Sequence, residues 1–243
     1  MKPMDEDIQL WEASADQWIA NLQNRGDQAR EFLDPRVWKQ FGDVRGKTIL
    51  DIGCGEGRFC RQLAEKGAIV TGIEPTPKLL EQAKSYGDSI TYVDGRAEHL
   101  PFPDKSFDFV LLYLVLLDVE PFEPALDEAK RVLKPGGKCI VVNCTSMNTA
   151  SDRFWETDVE GTKTAWLVER YGSRHQCIAE WKGIRVHNYH RPLSTYFQAF
   201  LDRGFELRFF DEPVPTDDEV KQVPNLAVSF ISPFFNIQVW QRN

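Results

Sequence analysis

The chain has 243 residues, 42% hydrophobic and 27% charged, with 29 Lys and Arg against 37 Asp and Glu for a formal charge of −8. At about 100–200 residues per domain, that length suits one large domain with a filled core, and the composition excludes collagen-like, coiled-coil and disordered chains. The longest unbroken apolar run, 109–117, is nine residues, where a membrane-spanning helix needs about 20.

Ile8, Trp11, Ala15, Trp18 and Leu22 recur at steps of three and four, which predicts an amphipathic helix closed by Gly26. Pro35 is expected to open a second short helix through Phe41. Between 47 and 143, apolar runs at 48–51, 69–73, 90–94, 109–112 and 138–143 alternate with helical stretches near 56–66, 76–85 and 124–133. Strands without polar alternation are buried on both faces, and their alternation with helices implies a parallel, doubly wound α/β sheet. From 144 to 190 the rhythm breaks, and Trp155, Trp166, Tyr171 and Trp181 predict a partly helical insert lying against the core. A helix near 194–203 with Gly204 behind it, strands at 205–211 and 234–240, and an acidic loop at 211–221 complete the chain. The expected organisation is a single domain: a helical cap (1–45), a core (46–143), an insert or lid (144–190), and a C-terminal helix with strands (191–243).

The most informative stretch is Thr48-Ile49-Leu50-Asp51-Ile52-Gly53-Cys54-Gly55-Glu56-Gly57, a strand running into a glycine turn that opens a helix. Glycines let the backbone turn tightly and approach a ligand, while free helix N–H groups point at it. A dinucleotide fingerprint starting at Gly53 needs a third glycine where Arg58 stands, which counts against a nicotinamide-dependent oxidoreductase. Glu74 closes the next strand, placed to accept from ribose hydroxyls. Two further stretches follow in order: Asp94-Gly95-Arg96-Ala97-Glu98-His99-Leu100-Pro101-Phe102-Pro103 through Asp108, and Glu128 through Lys138 with Pro135-Gly136-Gly137.

These four stretches resemble the class I S-adenosylmethionine-dependent methyltransferases. The likeness is to the small-molecule group with a type 11 methyltransferase domain, similar to quinone-biosynthesis methyltransferases. It is strong over 46–143 and fainter elsewhere. The resemblance implies a Rossmann-like seven-stranded mixed sheet of order 3-2-1-4-5-7-6, the last strand antiparallel, and S-adenosylmethionine as cofactor. By position, Asp51, Gly53, Cys54 and Gly55 would hold its methionyl end. Glu74 would grip the ribose, Pro75 would lie on the adenine face, and Ala97 beside the ring. Leu112 would face the methionyl amino group, and Arg30 would stand near its carboxylate. Arg96 occupies a position where many relatives carry an acid for the adenine amino group.

The implied reaction is methyl transfer to a small-molecule acceptor by in-line displacement, producing S-adenosylhomocysteine; a non-catalytic S-adenosylmethionine-binding protein is the competing class. His190 and Tyr113 are candidate catalytic groups, and His187, Tyr189 and Arg191 candidate walls of the acceptor pocket. Phe154, Trp155, Trp166 and Trp181 would suit a flat or apolar acceptor, or simply core. Residues 163–208 carry eight basic against four acidic residues, a solvated face or an attraction for an anionic acceptor. His175, Cys177, His187 and His190 fit no zinc spacing, so no metal is expected. Five cysteines, an odd number with no C-x-x-C pair, fit reduced thiols in a cytoplasm, and the acidic start at Asp5-Glu6-Asp7 lacks a signal-peptide pattern. The acidic balance argues against nucleic acid as a partner, and the chain is expected to act as a monomer or homodimer with no membrane span.

Overall fold

The computed structural model describes residues 5–24, 28–151 and 155–243; the expected helix stop at Gly26 and the aromatic Phe154 lie outside them. Helix α1 (Glu6–Gln23) begins at Asp5, whose carboxylate accepts the Asp7 N–H, and carries Glu6 and Asp7 in its first turn. Acids there complement the positive end of the helix dipole. Helix α2 (Gln28–Phe41) contains Pro35 instead of opening at it. An internal proline removes one N–H and crowds the carbonyl four residues back. Burial of Phe32 and Leu33 before it, and of Val37 and Phe41 after it, holds the helix through that defect.

The alternating core follows as β1 (Thr48–Ile52), α3 (Arg58–Glu65), β2 (Ile69–Glu74), α4 (Pro77–Ser85), β3 (Thr91–Asp94), β4 (Phe107–Tyr113), α5 (Glu123–Val132) and β5 (Leu133–Cys144). Beyond it come α6 (Ser146–Thr149), β6 (Trp155–Thr157), β7 (Lys163–Trp166), β8 (His175–Trp181), β9 (Ile184–His190), α7 (Leu193–Asp202), β10 (Phe205–Asp211), α8 (Asp217–Gln222) and β11 (Phe235–Arg242). The main sheet has seven strands in the order β3-β2-β1-β4-β5-β11-β10. The first five are parallel, and β11 runs antiparallel to both β5 and β10. Counted within the sheet this is the expected 3-2-1-4-5-7-6.

Both faces are covered, which is why the central strands are apolar on both faces over most of their length. In β4, Phe109, Leu111 and Tyr113 face the layer built by α2 and α3, where Trp38 stacks on Phe59 with ring centroids 5.0 Å apart. Val110 and Leu112 face the other layer with α5 and α7, where Phe200 stacks on Trp240 at 4.6 Å. Each fully buried side chain of this size contributes roughly 1.5–3 kcal/mol.

Among its described residues the insert is built mainly of two β-hairpins, β6–β7 and β8–β9, with the single-turn helix α6 as its one helix; this corrects the partly helical expectation. The residues of β8 alternate partly buried and exposed, a period of two, and Trp181 pairs with Ile184 across a Lys182-Gly183 turn in which both φ angles are positive. Such a turn matches the twist of a hairpin and not a helix. The insert aromatics pack largely on one another and on α1: Trp155 on Trp166, and Trp181 on both Trp11 and Trp18. The 211–221 loop also contains structure: Thr216 and Glu219 form a reciprocal capping box that starts α8.

Candidate active site

The strand order reverses direction between β1 and β4, and the crevice outside their carboxyl ends is where ligands enter such sheets. A cavity opens there, lined from β1 and its turn by Asp51, Gly53, Cys54 and Gly55, from the end of β2 by Glu74 and Pro75, and by Arg96 and Ala97 after β3. Arg30 from α2 and Tyr113 from β4 complete one wall, and α1 covers the mouth with Asp7, Trp11 and Trp18. Of the ten residues expected at the cofactor, nine therefore line one cavity. The exception is Leu112, whose side chain is fully buried in the α5–α7 layer; Tyr113 and Leu114 line the cavity beside it.

The turn is pinned where the chain leaves β1: the Gly53 and Cys54 N–H groups donate to the Ile73 carbonyl at 2.8 and 3.1 Å. Gly53 adopts φ +66°, and a Cβ on it would stand 2.7 Å from a Val115 methyl, so both the backbone and the neighbour demand glycine. Gly55 also has a positive φ, +57°, and its N–H donates to Glu74 Oε2 at 2.9 Å. The other Glu74 oxygen accepts from the Thr76 N–H at 2.8 Å, the Thr76 side chain adds a further hydrogen bond to the carboxylate, and Glu74 lines the cavity. Burial pushes the Glu74 carboxyl up despite these hydrogen bonds. Asp51 is 2% exposed, accepts the Cys60 S–H at 3.2 Å, and is pushed up to about 7, chiefly by burial.

Arg30 lies between aromatic faces, 5.0 Å from the Trp18 centroid and 4.9 Å from that of Tyr113. The Tyr113 hydroxyl donates to Asp34 at 3.0 Å, and burial pushes its pKa up, so it holds its proton and does not accept one. Arg58, at the third-glycine position of a dinucleotide fingerprint, pairs with Asp34 and lines the same wall. Arg96 is tied to Asp5 at 3.1 Å and to Glu98 at 2.8 Å, so it anchors the start of α1 across the cavity mouth.

His190 does not line the cavity. Its Nε2 meets the Tyr171 carbonyl at 2.9 Å and must donate, which leaves Nδ1 to accept from the Thr149 hydroxyl at 2.8 Å. Burial lowers its pKa, and the ring ties β9 to α6 and to the Tyr171 segment within the insert. Arg191 is fully buried and donates to the Leu116 carbonyl at 2.8 Å and the Tyr196 hydroxyl at 3.2 Å, and to the Val119 carbonyl and Glu120 carboxylate. It fastens the turn after β4 from behind and does not form a pocket wall. His187 and Tyr189 reach the cavity only through Asp7, which meets His187 Nδ1 at 2.6 Å and accepts from the Tyr189 hydroxyl at 2.9 Å. Five of the eight basic residues of 163–208 are spent on ion pairs, Arg174 with Glu123, Arg185 with Glu180, Arg191 with Glu120, Arg203 with Asp127 and Arg208 with Glu206, which favours the solvated-face reading.

Sequence reasoning missed four acids that line the cavity: Asp7, Glu56, Glu98 and Asp118. Glu98 falls within a stretch already quoted, two residues beyond Arg96. Asp7 and Asp118 carry no local motif, and only the docking of α1 and β9 brings them together.

With this geometry in hand, residues 50–141 match the Methyltransf_11 family, a methyltransferase domain. The chain is 36% identical over 130 residues to the demethylmenaquinone methyltransferase of Tropheryma whipplei; the match takes in 51% of this chain and 54% of that enzyme, so the chain spans about half the length of that relative. It is 31% identical over 190 residues to the ubiquinone/menaquinone biosynthesis C-methyltransferase of Escherichia coli, covering 70% of this chain and 73% of the relative. The crystal structure of an S-adenosylmethionine-dependent methyltransferase from Mesorhizobium loti superposes with a TM-score of 0.79 at 30% identity, over 86% of this chain and 96% of that one. The glycine turn whose Cβ positions are barred, the buried acid at the end of β2 and these likenesses agree, and the chain belongs to the class I S-adenosylmethionine-dependent methyltransferases.

Proposed function

We propose that the chain transfers the methyl group of S-adenosylmethionine to a small-molecule acceptor by in-line displacement, leaving S-adenosylhomocysteine. The observation that carries this reading is Glu74: a buried carboxylate at the end of β2 that lines the cavity and is fixed by the Gly55 and Thr76 N–H groups. The cofactor supplies an electrophilic methyl on a positive sulfur, so the protein has to align, enclose and exclude water. Asp51 would meet the cationic amino group, and Arg30, sandwiched between Trp18 and Tyr113, the carboxylate of the methionyl end. Pro75 and Ala97 would border the adenine; Asp94 and Glu98 each stand two residues from Arg96, and of the two Glu98 lines the cavity and would meet the adenine amino group. Helix α1 closes the mouth, held by Asp5 to Arg96 and by Glu12 and Asp16 to Lys78.

The names of the relatives support a planar, quinol-like ring as one acceptor class to try. The five free thiols support a reducing, cytoplasmic setting. A nicotinamide oxidoreductase is disfavoured because Arg58 fills the third-glycine position and is paired with Asp34. The deciding experiment is calorimetric titration with S-adenosylhomocysteine, with NAD as control. Saturable binding of the first alone is expected; binding of NAD alone refutes the reading. A methyl-acceptor screen with S-adenosylmethionine then separates an enzyme from a protein that only binds the cofactor.

A further inference from the structure

The cavity extends from the glycine turn to the 3₁₀ turn Leu116–Asp118, where α1 and β9 meet. Asp118 lines it there, partly buried. Its Oδ1 accepts from Asn188 Nδ2 at 2.6 Å, and the Trp11 indole also donates to the carboxylate. Both donors are uncharged, so they orient Asp118 without neutralising it. The titratable groups around it are Asp7 on α1, which is bonded to His187 and Tyr189 of β9, Glu74 at the end of β2, and Cys144 at the end of β5. Burial, reinforced by the charges of Asp7 and Glu74, pushes Asp118 well above the ordinary carboxylate range. A raised pKa makes the ionised carboxylate a stronger base than an ordinary aspartate. The other candidates are engaged elsewhere: Tyr113 gives its hydrogen to Asp34, and His190 lies outside the cavity with both ring nitrogens bonded.

We propose that Asp118 takes the proton of the methyl acceptor, which makes the acceptor a protic nucleophile bearing an O–H or N–H. This rests on the methyl-transfer reading above. In the balanced step the acceptor heteroatom bonds to the methyl carbon, and the carbon–sulfur bond breaks with its electron pair left on sulfur. The acceptor proton passes to a carboxylate oxygen of Asp118 and later to solvent. Asn188 and Trp11 act as positioning residues, keeping that oxygen turned to the cavity.

The test uses Asp118→Asn, which keeps the size of the side chain and an oxygen for the Asn188 donor. The first readout needs no turnover: carbon-13 carboxyl titration of aspartate-labelled protein saturated with S-adenosylhomocysteine, with Asp118 assigned by difference against the variant. Titration above the ordinary carboxylate range supports the proposal, and titration within it overturns it. The second readout is methyl transfer to phenol and aniline, which have a proton to lose, and to trimethylamine and iodide, which have none. Transfer to a protic probe is expected to fall at least ~100-fold in the variant, the low end of what a positioned base contributes, and to fall far more than affinity for S-adenosylhomocysteine does. A variant that keeps more than about a tenth of the rate, or a wild type that methylates only the aprotic probes, overturns the proposal. With no probe turned over, the titration alone decides. Failure of S-adenosylhomocysteine to bind at all is a separate result, and it overturns the methyl-transfer reading itself.

Discussion

Glu74→Gln is the sharpest probe of the cofactor end. The wild-type carboxylate is 5% exposed and already accepts two backbone N–H groups, from Gly55 at 2.9 Å and Thr76 at 2.8 Å. The Thr76 side chain adds a further hydrogen bond, and in the proposed complex the remaining acceptor capacity meets the ribose diol. Glutamine has one oxygen and one NH₂, so a single backbone donor keeps its partner while the other faces a donor. Hydrogen bonds to a charged acceptor are worth about 1.5–3 kcal/mol and neutral ones nearer 1 kcal/mol. Weakening both ribose bonds should therefore cost ~1–4 kcal/mol of binding, a rise in Kd of roughly 5- to 700-fold. The unpaired Gly55 or Thr76 N–H should cost a further ~1–3 kcal/mol of fold stability, because it has no water to turn to. Calorimetric titration with S-adenosylhomocysteine reads the first quantity, and urea unfolding of the unliganded protein reads the second. A variant that folds and binds within about threefold of wild type would show that Glu74 braces the glycine turn and does not contact the ligand.

Two other perturbations test different parts of the site. Asp51 holds its proton up to about 7 in the folded chain against 3.8 for the ordinary side chain, so its folded pKa is raised. Folding is then undisturbed by this group below the unfolded value and loses stability as pH rises through the folded one, by up to ~4 kcal/mol for about three pKa units. The unliganded protein should lose Tm across that window, the loss should shrink in Asp51→Asn, and the Tm gain on adding S-adenosylhomocysteine should grow with pH; a pH-independent gain contradicts this. Arg191→Met should leave the Leu116 and Val119 carbonyls without their buried donor, at ~2–5 kcal/mol of stability in urea unfolding. An unchanged midpoint would mean that Arg191 is not what secures the turn after β4.

The cofactor half of the site was legible because its chemistry is local. Asp51, Gly53 and Gly55 lie within five residues, and Glu74 follows one helix later at the end of the neighbouring parallel strand. A βαβ unit places such residues together whatever the rest of the chain does. The other end of the cavity joins Asp7, Asp118 and Asn188, which are far apart in sequence and meet only when α1 docks on β9. No spacing rule reaches that far. Arg191 was misread for a related reason: an arginine beside two histidines and a tyrosine reads as ligand-facing, yet it is fully buried among carbonyls. The helical reading of the insert missed the Lys182-Gly183 turn, a local hairpin signal masked by the aromatic content around it.

Charge explains why the two halves are built against each other. Asp51, Glu74 and Asp118 are all raised mainly by burial, and Glu74 adds to the shift of both aspartates. A cationic ligand lowers all three toward their ionised forms, so the arrangement favours a ligand with positive charge over a neutral one of the same shape. In the proposed transfer the positive charge leaves sulfur as the methyl departs. The field that held Asp118 ionised is thereby lost just as the acceptor proton becomes available, and burial again favours the neutral acid. Proton transfer to Asp118 and loss of charge at sulfur thus reinforce each other through a shared low-dielectric cavity, and neither requires α1 or β9 to move. It follows that Asp118 should titrate higher with S-adenosylhomocysteine bound than with S-adenosylmethionine, and a carboxyl titration that finds the two values equal would refute the coupling.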